Sequence, residues 1–310
     1  MSAMPRQPAT CQAGHRPDVG IIGSGRVGAV LGAALVRAGF PVVAASCRTP
    51  ASAARISRLL PGTPRRDPEQ VARVARLVVL AVPDDVLAPL VAHLAESDAF
   101  SPGQVVAHTS GAHGIGVLHP AAALGARPLA LHPAMTFTGR LDDLDRLNAG
   151  ISFGVTAPDD LRAFATDLVD ALGGTPEWVA EQRRALYHTA LAHGANHLVT
   201  LVNEAMDRLR DAGVVHPERV LDPLLHAALD NTLRLGDEAL TGPVARGDVG
   251  TVARHVDTLE AVAPESLPTY LALARRTADR AIAAGRLDAN RAEPLLDALA
   301  SKRPSERASR

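Results

Sequence analysis

Apolar and polar positions alternate with two different periods along the first 180 residues. Short runs rich in valine and isoleucine predict strands at residues 18–23, 41–46, 77–82, 104–109, 128–132 and 150–155. Longer stretches with helical spacing predict helices near residues 26–38, 68–75, 84–96 and 158–172. Strands that alternate with helices are typical of an α/β fold, so we predict a doubly wound, mainly parallel sheet over residues 17–178.

The strand signals stop near residue 180, and the remaining chain has only helical patterns. Glycines and prolines mark helix ends and starts in this part, at Gly213, Gly236, Gly247, Gly285, Pro217 and Pro264. We therefore predict an all-helical second domain over residues 179–302. The polar segments 1–16 and 303–310 lack apolar periodicity, and we expect both to be flexible tails.

Three glycines follow the first predicted strand in the order G-x-G-x-x-G, at the start of a predicted helix. Gly23 permits a tight turn, Gly25 lets the backbone approach a pyrophosphate, and Gly28 lets the helix pack closely on the strand. The helix start offers backbone N–H groups to phosphates. This context predicts a Rossmann dinucleotide site with contacts from Gly23, Ser24, Gly25, Arg26, Val27 and Gly28.

The cofactor selectivity of such a site is decided near the end of the second strand. An acidic residue there would bind the ribose hydroxyls of NAD, but no Asp or Glu occurs between Gly28 and Asp67. Ser46, Arg48 and Arg55 stand instead where a 2′-phosphate would lie, and guanidinium groups suit phosphate. We predict NADP(H), with Arg48 as a solvated surface arginine in the alternative interpretation.

The predicted strand at 77–82 ends in Val82, and Pro83 follows it. Ligands of a doubly wound sheet collect at the carboxyl ends of its strands, so both residues should lie beside the cofactor. Asp84 and Asp85 follow, and we expect them to begin a helix rather than to contact the cofactor.

Two further strands end in polar clusters at the same predicted edge, "HTSGAHG" (108–114) and "LHPAMTFTG" (131–139). Ser110 and His132 are the best candidates in them to touch nicotinamide or substrate. The alternative for each is a turn residue that hydrogen-bonds its own loop backbone.

The glycine array and the motifs "AVPDD", "HTSG", "LHP..TFTG", "ALYH...A..N" and "LTGPVARGD" resemble those of an oxidoreductase family catalogued as domain-of-unknown-function family 2520. The resemblance covers about residues 17–300. The wider group includes 6-phosphogluconate dehydrogenase, ketopantoate reductase, pyrroline-5-carboxylate reductase and prephenate dehydrogenase. It implies a helical second domain like the C-terminal domain of 6-phosphogluconate dehydrogenase, which pairs in a homodimer. Ser110 and His132 resemble the serine and histidine that prephenate dehydrogenases bring to substrate.

The segment "ALYHTALAHGAN" (185–196) is similar to a helix that carries a catalytic lysine in the wider group. With Glu204-Ala205 as the anchor of the comparison, His188 stands in the place of the lysine, and Asn196 resembles a second asparagine of ketopantoate reductases. On a straight helix their side chains would differ by about 80° and face one cleft. Imidazole can donate and accept protons near neutral pH, so His188 is our candidate proton donor, with a buried structural histidine as the alternative.

His193 and His197 are spaced for one helix face and could bind a metal if a third ligand, such as Glu204, came near. Residue 194 is glycine, however, so the H-E-x-x-H pattern of zinc proteases is missing. We predict a packing or subunit-contact role for both histidines and no metal.

A second polar cluster, "LTGPVARGDVGTVARH" (240–255), lies in the helical half. Arg246 could hold a substrate carboxylate, and Thr241 and His255 could line the same cleft. In the alternative, Asp248 caps a helix and Arg246 is solvated.

Composition narrows the classes of partner. The chain has 310 residues, is 47% hydrophobic and 21% charged, and carries a formal net charge of -1, so we expect neither nucleic acid nor an anionic membrane as partner. Two cysteines, Cys11 and Cys47, cannot form a disulfide framework, and no apolar run is long enough to cross a bilayer. These features favour a cytoplasmic protein with a small-molecule substrate.

The sequence thus predicts an NADPH-dependent reductase whose substrate binds between the sheet and the helical domain. The expected substrate is a small 2-oxo acid, with ketopantoate as the best single choice. His188 would protonate the oxygen, and Asn196, Ser110 and His132 would orient the substrate. The alternatives are an imine reductase, a prephenate-like dehydrogenase, and an NADP-binding sensor or scaffold without turnover.

Overall fold

A computed structural model describes residues 16–300 of the chain. Its sheet contains seven strands, β1 (Val19–Ile22), β2 (Val42–Ser46), β3 (Leu77–Leu80), β4 (Val105–His108), β5 (Arg127–Pro133), β6 (Ser152–Thr156) and β7 (Thr175–Trp178), in the order β2-β1-β3-β4-β5-β6-β7. All neighbouring pairs are parallel except β5 and β6, which are antiparallel. The predicted mainly parallel, doubly wound α/β sheet is confirmed.

The six predicted strands all occur, and β7 is an additional one. Its sequence, TPEW, contains a proline and a glutamate and alternates between exposed and half-buried positions. Proline is tolerated at a sheet edge, where its missing N–H breaks no ladder, and β7 is the last strand of the order. The apolar pattern that predicts buried strands therefore could not reveal it.

Eight helices accompany the sheet, α1 (Arg26–Arg37), α2 (Pro50–Leu59), α3 (Pro68–Val74), α4 (Asp84–Glu96), α5 (His119–Ala123), α6 (Asp142–Asn148), α7 (Arg162–Ala171) and α8 (Arg184–Leu191). The predictions for α1, α3, α4 and α7 are confirmed, and Asp84 and Asp85 do begin α4. Helix α2 was not predicted, although Thr49 and Ser52 form a reciprocal capping box at its start.

Both faces of the sheet are covered, which explains why β1 and β3 have no polar residue and are buried at every position. In β3, Leu77 and Val79 face a core that includes Leu31 of α1. Val78 and Leu80 face the opposite core, with Leu87 of α4. The helices thereby hold the carboxyl ends of the strands in a fixed register.

The chain divides into two compact units, the first ending at Gly194 and the second starting at Ala195. The second starts later than the helical domain predicted from residue 179. A π-helical turn spans residues 192–196. The remaining helices are α9 (His197–Asp211), α10 (Pro217–Leu235), α11 (Gly242–Arg246), α12 (Val249–Val262), α13 (Leu267–Ala283) and α14 (Ala289–Ala300).

The core of the second unit is built by α11 to α14, with Val252, Leu271 and Leu295 among its buried side chains. From Ala195 to Ala300 the structure has no strand, as the sequence predicts. No helix in residues 16–300 has the length and apolar character needed to cross a membrane.

The predicted flexible tails, residues 1–16 and 303–310, lie outside the described residues apart from Arg16, and so does Cys11. The guanidinium of Arg16 stacks over the ring of Phe40, with 4.4 Å between the Cζ atom and the ring centroid. This end of the described chain is therefore attached to the first unit.

Candidate functional site

The strand order reverses direction at β1, which pairs with β2 on one side and β3 on the other. Crevices at such a reversal, beside the carboxyl ends of the strands, are the usual ligand sites of open α/β sheets. The turns that follow β1 and β3 meet here. Both carry predicted cofactor contacts, and they line one cavity together with Ser110, His132 and His188.

The three glycines of the first turn each meet a different geometric demand. Gly23 has φ +94°, and a Cβ atom on it would lie 2.5 Å from the carbonyl oxygen of Ala81. A Cβ atom on Gly28 would lie 2.2 Å from the carbonyl oxygen of Gly23, so the helix could not pack at this distance. At Gly25 a Cβ atom would meet no heavy atom within 4 Å. The turn is closed by Gly23 and Gly28 and open at Gly25, as a pyrophosphate cradle requires.

Two serines connect this turn to the end of β2. The backbone N–H of Gly23 donates to Oγ of Ser46 at 3.2 Å, and the N–H of Ser24 donates to the carbonyl of Ser46 at 3.0 Å. The Oγ atom of Ser24 is buried and has no hydrogen-bond partner within the described residues. Such a hydroxyl is costly when left unpaired, and a ligand in the turn would give it a partner.

Three arginines gather near Gly139, in the loop after β5. Arg58 donates to the carbonyl of Gly139 at 2.6 Å. A Cβ atom on Gly139 would lie 3.1 Å from Nε of Arg55 and 3.2 Å from Cγ of Arg26. Arg48, predicted for the 2′-phosphate, is exposed after β2. The positive charges therefore lie along the side of the crevice next to β2 and α2.

Asp143 anchors the same loop, a role that no pattern in the sequence indicates. Its carboxylate is fully buried and accepts hydrogen bonds from the N–H groups of Thr138 and Gly139, both at 2.7 Å, and from the hydroxyl of Thr138 at 3.0 Å. Burial alone would raise the pKa of Asp143, but these hydrogen bonds outweigh it and hold the pKa below its usual value. Asp143 thus stabilises the loop as an anion.

The cavity has a volume of about 390 Å³, within the range of small-molecule sites. Its lining residues are Gly25, Arg26, Val27, Ala81, Val82, Pro83, Asp84, Thr109, Ser110, Gly111, His132 and His188. The imidazoles of His132 and His188 face each other edge to face, with ring centroids 6.2 Å apart. A Cβ atom on Gly111 would lie 2.7 Å from Cδ2 of His188 and 3.1 Å from Nε2 of His132. The glycine of the "HTSG" motif therefore makes room for both rings.

Ser110 is nearly buried and works partly as a turn residue, the alternative role considered for it. Its Oγ accepts from the N–H groups of Ala112 at 3.2 Å and His113 at 3.1 Å, which leaves the hydroxyl hydrogen to donate. Its own N–H donates to Nδ1 of His108 at 3.2 Å, and Nε2 of His108 donates to the carbonyl of Gly114 at 2.9 Å. Burial lowers the pKa of His108 to about 4, so this histidine is a neutral support of the loop.

Glu181 holds the other end of this loop. Its carboxylate accepts from the N–H groups of Ile115 at 2.7 Å and Gly116 at 2.9 Å, at the start of a 3₁₀ turn. A Cβ atom on Gly114 would collide with this carboxylate at 2.0 Å. The segment before α8 thus fixes the loop that carries Ser110 and Gly111.

Tyr187 supports His132 from behind the cavity. Its hydroxyl oxygen lies 3.0 Å from Nδ1 of His132, and the two rings meet at 87° with centroids 5.6 Å apart. Burial, followed by the charges of Arg184 and His188, lowers the pKa of His132 to about 4. Tyr187 belongs to the "ALYH" motif, but the sequence indicates no role for it, because its partner His132 is 55 positions away.

Arg184 is a second support that the sequence did not reveal. The side chain is 1% exposed and is held by neutral oxygens. Its Nε donates to Oγ1 of Thr156 at 2.8 Å, and one terminal nitrogen donates to the carbonyls of Ala130 at 3.2 Å and Gly154 at 3.0 Å. Burial lowers the pKa of Arg184, yet guanidinium stays charged in proteins. Its positive charge adds to the effect of burial in lowering the pKa of His132 and His108.

The straight helix expected over 185–196 is wrong at its end. Helix α8 stops at Leu191, and the π-helical turn, which holds His193, precedes His197 at the start of α9. Because a π turn contains more than 3.6 residues, the angle of about 80° between the His188 and Asn196 side chains does not apply. Asn196 falls in the second unit.

Across residues 16–300, no group of three or more His, Cys, Asp or Glu is arranged to hold a metal.

The second unit has a pocket of about 280 Å³ of its own, to which Thr241 and His255 contribute. Nδ1 of His255 lies 3.0 Å from the hydroxyl of Tyr270, another lining residue. Arg246 is exposed at the end of α11 and does not line this pocket. Asp248 caps α12 by accepting from the N–H of Thr251 at 3.1 Å, which is the structural alternative considered for this cluster.

Two protein-family models match parts of the chain. Residues 4–133 match a Rossmann-like domain. Residues 151–277 match a domain of unknown function (DUF2520). The chain joins a Rossmann-like domain to a DUF2520 domain. The DUF2520 match begins at the start of β6 and contributes His188 to the cavity, whose other lining residues belong to the Rossmann-like match.

Solved structures share this fold over most of the chain. The candidate NADP oxidoreductase BF3122 from Bacteroides fragilis aligns with a TM-score of 0.70 at 23% identity, covering 85% of this chain and 98% of that one. Protein TM1727 from Thermotoga maritima aligns with a TM-score of 0.62 at 18% identity, covering 86% and 98%. An imine reductase from Pseudomonas sp. aligns with a TM-score of 0.60 at 19% identity, covering 92% and 100%. None of the curated protein sequences matches the chain.

Proposed function

We propose that this protein is an NADPH-dependent reductase that acts on the C=O or C=N bond of a small acid. The observation that carries the proposal is the single cavity in which the glycine-rich turn, Ser110, His132 and His188 meet. Residues 17–178 would bind the cofactor, and residues 179–302 would supply substrate contacts and the dimer interface. A cytoplasmic location stays a prediction from the sequence alone.

The fit of a dinucleotide rests on the first turn and its surroundings. The open side of Gly25 and the unpaired, buried hydroxyl of Ser24 suit a pyrophosphate at the start of α1. Arg26, Arg48 and Arg55 supply positive charge for a 2′-phosphate, and no acidic residue stands between Gly28 and Asp67 to bind a free ribose. NADPH is therefore proposed over NADH.

Bound NADPH supplies hydride, and the chain supplies the proton and the orientation of the substrate. His188 is the proposed proton donor to the substrate oxygen or nitrogen, because it lines the cavity and imidazole exchanges protons near neutral pH. His132 is kept neutral and would donate a hydrogen bond, as would the hydroxyl of Ser110. Thr241 and His255, which share a pocket, remain proposed substrate contacts, and the roles of Asn196 and Arg246 rest on the sequence alone.

A small 2-oxo acid such as ketopantoate is the first candidate substrate, and the sequence motif around His188 favours it. A cyclic or open-chain imine is the second. The similar folds include the imine reductase from Pseudomonas sp. and a pyrroline-5-carboxylate reductase from Coxiella burnetii, at 19% and 16% identity. Both classes need the same proton delivery, so the cavity suits either.

A homodimer through the second unit is part of the proposal. Helix α9 buries none of its residues, and α10 buries only Pro217. Val199, Leu224 and Leu233 on these helices are 62%, 62% and 79% exposed. Monomers rarely expose apolar surface on this scale, and a second copy related by a two-fold axis would cover it with the same helices. Leu233→Glu should then shift the sedimentation coefficient to that of a monomer.

NADPH consumption with a panel of 2-oxo acids and imines tests the reaction. His188→Ala should lower turnover by about 10²-fold or more while the Kd for NADPH, measured by fluorescence, stays the same. His93→Ala is the matched control, since that histidine lies on the surface with 59% of its side chain exposed. Equal turnover in His188→Ala and wild type would remove His188 as the proton donor. Tight NADPH binding with no turnover on any compound would favour the sensor or scaffold alternative.

A further inference from the structure

We infer that Gly139, in the loop after β5, is a positioning residue that sets the selectivity of the cofactor site for a phosphorylated nucleotide. The observation that carries this inference is the convergence of three arginine side chains, those of Arg26, Arg55 and Arg58, on this one glycine. The inference rests on the proposed NADPH site, and it makes a loop from a distant strand responsible for the placement of the arginines there.

The arginines reach Gly139 from the two helices next to the glycine-rich turn. Arg26 begins α1 and lines the cavity, whereas Arg55 and Arg58 lie one turn apart on α2. Arg58 donates to the carbonyl of Gly139 at 2.6 Å. A Cβ atom at position 139 would lie 3.1 Å from Nε of Arg55 and 3.2 Å from Cγ of Arg26. The backbone of this glycine is thus a shared support for all three side chains.

The positive charges at Gly139 have no carboxylate partner in the described part of the chain. Between residues 16 and 300, none of the three arginines forms an ion pair with Asp or Glu. The carboxylate of Asp143, on the same loop, accepts from two backbone N–H groups and lies 3.9 Å from Nη1 of Arg146. Like charges without a counter-ion attract anions, and guanidinium groups match the geometry of phosphate. The cluster therefore favours a phosphate as its ligand.

The loop that carries Gly139 is fixed from within the first unit. Met135 and Phe137 pack against the core that includes Leu31 of α1. The buried carboxylate of Asp143 accepts from the N–H of Gly139 at 2.7 Å. Gly139 itself has φ +78°, in the left-handed region that favours glycine. The fold thereby sets the position of the support on which the arginines rest.

This loop connects two distant parts of the sheet. Strand β5 is separated from β1 by β3 and β4, yet the loop leaves the carboxyl end of β5 and contacts the start of α1, which follows β1. A methyl group at position 139 would press on the stems of Arg26 and Arg55 and displace their guanidinium groups. Paired hydrogen bonds to phosphate depend on the orientation of the guanidinium plane, so the displacement should weaken a 2′-phosphate contact.

The test compares the Kd values for NADPH and NADH, measured by fluorescence titration, in Gly139→Ala and wild type. The ratio of the Kd for NADH to the Kd for NADPH should fall by about fivefold or more, because only NADPH carries the 2′-phosphate. Adenosine 2′,5′-bisphosphate and adenosine 5′-monophosphate, used as competitors, should show the same change in ratio without a nicotinamide ring.

Gly103→Ala is the matched control. Gly103 has the same φ, +78°, but a Cβ atom on it would meet no heavy atom within 4 Å. It lies just before the amino end of β4, so the substitution reproduces the backbone strain away from the arginines. Both Kd values should stay within about twofold of those of the wild type.

A double-mutant cycle tests whether Gly139 acts through Arg55. Arg55→Met keeps an unbranched stem and removes the guanidinium, so it should lower the ratio by about fivefold or more by itself. Gly139→Ala should then cause a smaller further loss in the Arg55→Met background than in wild type, because coupled residues are not additive. Arg73→Met is the control, at an exposed arginine that likewise donates to a backbone carbonyl, that of Ser97, at 2.7 Å.

An unchanged ratio in Gly139→Ala, or equal losses for both cofactors, would overturn the inference. So would independent losses in the double-mutant cycle. If the ratio falls as expected and no 2-oxo acid or imine is reduced by NADPH, the reductase proposal fails and the positioning role stands. If turnover is present and Gly139→Ala leaves the ratio unchanged, the reductase proposal stands and the positioning role of Gly139 fails.

Discussion

Gly111 and His188 are in such close contact that a Cβ atom on the glycine would lie 2.7 Å from Cδ2 of the imidazole. Cβ atoms essentially never approach other heavy atoms this closely, so the presence of His188 in the cavity depends on the missing side chain at position 111. The "HTSG" motif and the "ALYH" motif are linked by this contact.

Gly111→Ala should therefore displace the His188 ring and lower kcat by at least about tenfold, because a misplaced catalytic group loses its alignment. The Kd for NADPH should stay within a factor of about two, since the glycine-rich turn is untouched. Gly250→Ala is the control, because its Cβ atom would meet only Nη1 of Arg254, at 3.8 Å. A fully active Gly111→Ala enzyme would contradict the placement of His188 in the site.

Gly25 and Gly28 should respond differently to the same substitution. Gly25→Ala should leave the thermal unfolding temperature of the ligand-free protein unchanged but raise the Kd for NADPH by about tenfold or more, because its methyl group enters the open space of the turn. Gly28→Ala should lower the free energy of unfolding by roughly 1–3 kcal/mol through its collision with the Gly23 carbonyl. Equal NADPH affinity in Gly25→Ala and wild type would argue against a pyrophosphate at this turn.

Arg48→Ala should weaken NADPH binding by about tenfold and leave NADH binding unchanged, since a charged hydrogen bond to phosphate contributes roughly 1.5–3 kcal/mol. Titration of both cofactors by fluorescence measures this ratio. Arg37→Ala is the comparison, because that exposed arginine pairs with Asp145 at 3.5 Å. Parallel losses for NADPH and NADH in Arg48→Ala would exclude a 2′-phosphate contact.

Acid should destabilise the fold through its buried histidines. The pKa of His108 is lowered to about 4 by burial, so the folded state takes up no proton there between about pH 6.5 and 4, whereas the unfolded chain does. The free energy of unfolding should then fall by about 1.4 kcal/mol per pH unit for this residue as the pH drops through that window. Urea unfolding of the wild type and His108→Gln measures the difference in slope. Identical slopes would contradict a neutral, buried His108.

Much of the first unit could be predicted because its signals are local. The runs of valine and isoleucine and the spacing of the three glycines each depend on residues that are close together in the chain. The helix over 185–196 shows the limit of this approach. The periodicity there is compatible with a straight helix, and nothing local distinguishes it from a helix with a π turn at 192–196.

The groups missed by the sequence analysis are those whose partners are distant in the chain or whose role depends on burial. Arg184 looks like an ordinary helix residue until β5 and β6 present their carbonyls to it. Asp143 looks like a surface acid until the loop after β5 turns its N–H groups towards it. Arg246 is exposed at the end of α11 and does not line the pocket that Thr241 and His255 share, so its binding role stays a prediction from the sequence.

Local sequence patterns are enough to predict the α/β order, the helical second domain and the closed and open positions of the first turn, because helix and strand periods and glycine geometry are properties of short segments. The contacts of His132 with Tyr187 and with His188, by contrast, follow only from the packing of the folded chain. Those contacts depend on the register of β5 against β6 and on the position of α8 over the sheet, which are set by packing between residues more than 50 positions apart.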